Sequence, residues 1–132
     1  MAADAGAQQI LNLFNQPSEL LRENLVSLAR AQRKQVKKPY GVLPDYGVVA
    51  LAQVRAYYRD LRAQVEAIET VDVDSKARVL EALDNLDRSL GAYERSLDFG
   101  ISKPAVPRAK KAHKKARQAR NGIRAAIQAL SQ

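Results

Sequence analysis

The sequence predicts an all-α fold, an up-down antiparallel four-helix bundle preceded by a short amphipathic helix within residues 1–16. Three observations predict it. The segments 17–37, 46–69, 75–98 and 107–130 each carry one stripe of seam residues in steps of three and four, the spacing that turns a narrow seam toward a neighbouring helix. Their lengths are matched, each ~35 Å at about 1.5 Å per residue. Short connections separate them, so consecutive helices run antiparallel, and the seam spacing favours left-handed, near-parallel packing. Two helical hairpins pairing with a second copy of the chain are the alternative arrangement.

Bulk properties bound the answer. At 132 residues the chain suits one domain with a modest core, divided here into an N-terminal arm, 1–16, and a helical bundle, 17–132. The net charge is +8, which favours polyanions or acidic surfaces as partners. There is no cysteine, which excludes disulfides and thiolate metal sites. The opening MAADAGAQQ lacks the charged-then-apolar build of a secretory signal. No apolar run approaches the ~20 residues of a membrane span, and the expected setting is the cytoplasm or an assembly formed there.

In the arm, Ala7, Ile10, Leu11 and Phe14 share one helix face over residues 4–15. The preferred reading is that they cap the chain's own core; the sharper alternative makes Ile10, Leu11 and Phe14 a docking arm for a partner. Pro17 then opens the first long helix. Its seam, Leu21, Leu25 and Leu28, continues into Gln32 and Gln35, so the apolar stripe fades where Arg30, Arg33, Lys34, Lys37 and Lys38 gather. The segment KKPYGVLPDYG, 37–47, is a loop by its prolines and glycines, with Asp45 as the expected N-cap of the next helix. Tyr40 and Tyr46 beside the basic run could offer a stacking surface to single-stranded nucleic acid; packing over the bundle end is the plainer use.

The second long helix places Leu51, Val54, Tyr58, Leu61, Val65 and Ile68 on its seam. TVDVDS, 70–75, is a turn with Asp74 or Ser75 as expected N-cap. The Glu69, Asp72 and Asp74 cluster lacks the glycine and distal glutamate of a calcium loop, so it reads as capping. The third long helix carries Val79, Leu83, Leu86, Leu90, Tyr93 and Leu97, with Gly100 as its expected C-cap. Glu81, Asp84 and Asp87 line one flank, set to pair with basic side chains or face water. The fourth helix starts with Pro107 at its first position. Its seam is Ala109, Ala112, Ala116, Ala119, Ile123, Ala126 and Leu130, and the phase runs unbroken through Asn121-Gly122.

Residues 103–132 hold nine basic groups and no acidic one. In an up-down bundle the first helix ends where the fourth begins. That topology converges Arg30, Arg33, Lys34, Lys37 and Lys38 with Lys103, Arg108, Lys110, Lys111, Lys114 and Lys115, with Arg117 next along the helix. Glu94 and Asp98 can offset only part of that charge. The alanine seam buries little area at about 25 cal/mol per Å², so the fourth helix is held weakly for the charge it carries.

Catalytic chemistry is not expected. His113, the one histidine, lies in a lysine run with no nearby carboxylate to orient it, and reads as a surface residue. There is no Glu-x-x-His metal signature, no phosphate loop and no zinc spacing, so no catalytic residue, metal ligand or cofactor is assigned. The expectation is a non-enzymatic structural or interaction protein within a larger assembly, its basic pole engaging an acidic partner or polyanion. Candidate partners are a second copy or an acidic protein. The apolar residues outside the seams, Leu20, Val26, Val49 and Leu80, favour assembly. The alternative is sequence-nonspecific nucleic-acid binding through phosphates. An anionic membrane is disfavoured because the fourth helix has no broad apolar face, and no small-molecule substrate is expected.

Overall fold

A computed structural model describes residues 5–37, 42–97 and 105–130, apart from the side chains of residues 36–37 and 105–109. Among these residues all regular structure is helical and no strand occurs. The helices are α1, Ala5–Asn15; α2, Glu19–Lys37; α3, Asp45–Glu66; α4, Val73–Leu97; and α5, Ala105–Leu130. α2 packs on α3, α3 on α4 and α4 on α5, the last pair most extensively. Helix α5 touches α1 and α2 only sparsely. The packing is that of a helical bundle.

Capping chemistry explains where the observed ends differ from the expected ones. α2 begins two residues after Pro17 because Ser18 is its cap: the Ser18 hydroxyl accepts from the Leu21 amide at 3.2 Å. Asp45 does not cap α3. Pro44 holds that position at φ −56° and ψ 152°, with no side-chain bond, and its carbonyl accepts from the Gly47 amide at 2.8 Å and the Val48 amide at 3.1 Å. Asp45 lies one residue inside, where its negative charge favours the helix dipole. Nor do Asp74 or Ser75 cap α4. Asp72 does, its carboxylate accepting from the Ser75 amide at 3.0 Å and the Ser75 hydroxyl at 3.1 Å, so α4 starts earlier, at Val73. α3 correspondingly stops at Glu66. Lys76 closes that turn by donating to the Glu66 carbonyl at 2.7 Å and the Ile68 carbonyl at 2.8 Å. Gly100 lies outside the described residues. α5 begins at Ala105, which puts Pro107 in its first turn but not at its first position, and it passes through Asn121-Gly122 without a break.

The core follows the seams. Leu51, Val54, Leu61 and Val65 of α3 and Val79, Leu83, Leu86, Leu90 and Tyr93 of α4 are buried, as are Ala112, Ala116, Ile123 and Leu130 of α5. Ile10 of α1 is fully buried in the same cluster, with Leu11, Leu13 and Phe14 packed against it. The Gly6 amide donates to the Thr70 carbonyl at 3.0 Å, so the start of α1 is fastened to the α3–α4 turn. The seam of α2 does not fade into solvent as its glutamines imply. Ala31 and Gln35 are both buried, and the Tyr93 hydroxyl donates to the Gln35 side-chain oxygen at 2.7 Å. A buried amide is tolerated there because it is hydrogen-bonded. Ala31 lies against Gly47, where an added Cβ would overlap Ala31 and come within 3.0 Å of Leu43; small residues let α2 and α3 approach closely at this point.

Candidate functional site

Arg55, Arg59 and Arg62 recur along α3 at steps of four and three and meet the acidic flank of α4. Asp87 accepts from Arg55 at 2.9 Å and from Arg59 at 2.8 Å. Asp84 accepts from Arg62 at 2.6 Å, and Arg62 also reaches Glu66 at 2.7 Å. Glu94 accepts from Arg55 at 2.9 Å. Burial alone would push the Asp87 carboxyl up, but the hydrogen bonds and charges of Arg55 and Arg59 overcome it and hold the group below its ordinary value. This ladder absorbs Asp84, Asp87 and Glu94. Glu94, expected to offset some of the basic charge at the bundle end, bonds α3 instead.

The basic residues of α2 and α5 are not balanced in this way. Arg30, Arg33 and Lys34 on α2 and Lys110, Lys111, Lys114, Lys115 and Arg117 on α5 are exposed. Among the described residues none of them forms an ion pair. Lys37 and Arg108 fall within α2 and α5, with their side chains outside the described set; Lys38, Tyr40 and Lys103 lie outside the described residues altogether. Tyr46 is 39% exposed, and Lys34 Nζ sits 5.5 Å from its ring centroid. The ring face is thus engaged by a cation of the same chain, a cation–π contact worth about 0.5–1 kcal/mol at an exposed site.

Tyr93 marks where the two basic segments lie relative to each other. Its hydroxyl bonds Gln35 of α2, and its ring stands edge-on to His113 of α5, at 6.5 Å and 84°. The Lys34 turn of α2 and the Lys114 turn of α5 therefore flank the same core residue. The α5 cations then divide. Lys115 borders a shallow depression with Asn85, Arg88, Ser89 and Ala92 of α4. Arg117 turns to the opposite flank, toward α2, together with His113 and Arg120. His113 is partly buried, not a free surface residue. Burial, and then the charges of Arg117 and Arg120, hold its pKa below the ordinary value, which favours the neutral imidazole.

Between α2 and α5 the sparse contact leaves a cleft of about 110 Å³. Leu25, Leu28, Leu51, Val54 and Leu90 line it, and Gln32, His113, Arg117 and Arg120 edge it. Arg120 and this cleft are not evident from residue identity alone. The readable signal is the recurrence of His113, Arg117 and Arg120 at i, i+4 and i+7, which puts them on one side of the alanine seam. Of the apolar residues outside the seams, Leu20, Val26 and Val49 are exposed, while Leu80 packs against the core. Among the described residues no group of three or more His, Cys, Asp or Glu could hold a metal ion. No described helix is long and apolar enough to cross a membrane. Comparison with protein-family models, with curated proteins and with solved structures finds no match for this chain.

Proposed function

We propose that this chain is a non-enzymatic structural or interaction protein that works within a larger assembly and presents a basic pole to an acidic partner or polyanion. In this reading α2 to α5 run up, down, up and down, so the end of α2 and the start of α5 share one pole. The supporting observation is the partition of charge. The described carboxylates of α4 that bond arginine, Asp84, Asp87 and Glu94, all do so on α3, and among the described residues Arg30, Arg33 and Lys34 of α2 and Lys110, Lys111, Lys114, Lys115 and Arg117 of α5 form no ion pair. A cation run alone is ordinarily a solvated face. Two runs beside one buried tyrosine, with Glu94 already held by Arg55, make a surface whose field is met from outside. Nucleic acid is the second reading, supported by the exposed lysine pairs Lys110–Lys111 and Lys114–Lys115. An acidic protein is preferred because Tyr46, one of the two proposed stacking residues, already holds Lys34.

The test is binding to polyglutamate, duplex DNA and single-stranded DNA across a salt series. If about six duplex phosphates are contacted, affinity falls ~10³-fold between roughly 50 and 200 mM salt. The quadruple change Lys110→Glu, Lys111→Glu, Lys114→Glu, Lys115→Glu should weaken polyanion binding at least about tenfold while leaving the helical circular dichroism intact. Unchanged affinity in that folded variant would sink the basic-pole reading.

A further inference from the structure

We infer that the α2–α5 cleft is a docking site for an acidic amphipathic helix of a partner protein, which seats one aliphatic side chain between Leu28 and Leu90 and sets its carboxylates against Arg117 and Arg120. The inference rests on the basic-surface reading above and adds the identity of the binding groove and its occupant. Three features fix the occupant's chemistry. The lining is aliphatic, with Leu25, Leu28, Leu51, Val54 and Leu90 around the opening, so the inserted group is apolar. The volume of about 110 Å³ is below the 150 Å³ or so of an engineered cavity that holds benzene, so it accepts a single leucine- or isoleucine-sized side chain. The edge carries Arg117 and Arg120, neither in an ion pair among the described residues, with His113, its neutral form favoured, beside them.

Charge decides among the possible occupants. A second copy of this chain carries the same +8 and the same cations around its own cleft, so face-to-face self-association through this groove sets like charges together. A nucleic acid would match the charge but not the lining, because the groove is mainly aliphatic and its described aromatic rings are Tyr93, which is buried, and His113, which is half-buried. An acidic helix with one aliphatic stripe matches both. Its apolar stripe also completes a boundary that the bundle leaves thin, since α2 and α5 touch little while the other neighbours pack closely. This is helix-in-groove recognition, in which the apolar face is seated and the flanking charges set orientation.

The test uses fluorescein-labelled synthetic helices of roughly 20 residues, long enough to be helical. One bears glutamate on one face and leucine at i, i+3 and i+7 on the other; a second has those leucines changed to alanine; polyglutamate of equal charge is the third probe. The leucine helix should bind the wild-type chain about tenfold or more tightly than its alanine counterpart, the increment expected for burying one aliphatic side chain. Ala29→Leu, at the exposed lip of the cleft, should erase that difference without weakening polyglutamate binding. In wild-type protein, amide NMR shifts at Ala29, Gln32, Ala116 and Arg120 should move with the leucine helix and not with polyglutamate. Arg117→Gln with Arg120→Gln should weaken both helices. Equal binding of the two helices, or a leucine advantage that survives Ala29→Leu with no shifts at the cleft, overturns the docking site and leaves the basic-surface reading standing. Failure of all three probes to bind overturns both. Duplex DNA displacing the leucine helix while leaving the cleft resonances unmoved would assign the surface to nucleic acid and overturn the inference, as would a dimer sealing the cleft in sedimentation.

Discussion

Two glycines, each within a helix, should respond to the same substitution with opposite signs. At Gly122 an added methyl meets nothing within 4 Å, and α5 is continuous through it. Gly122→Ala should therefore stabilise by about 1 kcal/mol, the helix propensity difference. At Gly6 the added Cβ would overlap the Thr70 carbonyl and lie 2.7 Å from the Val71 Cβ. The first obstacle is backbone, which cannot rotate away, so α1 must lift. Lifting breaks the 3.0 Å bond from the Gly6 amide to Thr70, a loss of about 1 kcal/mol. It also uncovers part of Ile10, which is 0% exposed and whose full burial is worth about 1.5–3 kcal/mol. Against a propensity gain of at most about 1 kcal/mol, Gly6→Ala should cost a net ~1–2 kcal/mol, or all of α1's docking if the helix detaches. Urea unfolding followed by far-ultraviolet circular dichroism measures both variants. Limited proteolysis within residues 5–18 reports whether α1 has come away. Equal stabilisation of the two variants would refute the close approach of α1 to the α3–α4 turn, and with it the placement of Ile10 in the core.

Tyr93→Phe should cost about 1 kcal/mol by removing the hydroxyl that donates to Gln35 at 2.7 Å, and the urea midpoints of wild type and variant check this. Asp87→Asn should cost about 1 kcal/mol at pH 7, discounted for the partial exposure of the pair. The Asp87 carboxyl is held below its ordinary value in the fold, so its contribution is complete above the unfolded value of about 4 and is lost as pH falls through the folded one. The stability gap between wild type and Asp87→Asn should therefore narrow from pH 7 toward pH 3, and a gap independent of pH would deny the ion pairing.

How far the chain could be read from its residues depends on whether the deciding interaction lies within one helix or between helices. The seams are within-helix properties, and Leu51, Val54, Val79, Leu83, Leu86, Leu90 and Ile123 are all buried where the three-and-four spacing puts them. The helix starts were less legible. Asp45, Asp74 and Asp72 are equivalent as local cap acceptors, and only the path of the turn makes Asp72 the one that bonds Ser75. Gln35 was misleading for a related reason: an amide on a seam looks like the end of a core until its partner is known, and that partner, Tyr93, lies 58 residues away. Glu94 is the same case in charge. It is near the basic end by position, yet Arg55 holds it from a different helix. The cleft depends on how loosely α2 and α5 touch, which no local pattern encodes.

The upper and lower halves of α5 differ in what holds them. From Ile123 to Leu130 the helix contributes two large buried side chains, whereas its described buried residues before Gly122 are Ala112 and Ala116. At about 25 cal/mol per Å² an alanine methyl returns far less than a leucine or isoleucine. The same stretch carries Lys110, Lys111, Lys114, Lys115 and Arg117, which repel one another without an ion partner among the described residues. Two weaknesses therefore coincide, little apolar area inside and uncompensated charge outside. An acidic ligand relieves the second directly, and a seated aliphatic side chain adds to the first by covering Ala116 and the α2–α5 gap. A ligand present at ~100 times its dissociation constant stabilises the folded state by about 2.7 kcal/mol, comparable with burying one large side chain. On the proposed reading, occupancy of the basic face and firmness of packing are coupled quantities for this helix: the features that make its first half a poor structural element on its own are those through which a bound acidic partner would stabilise it.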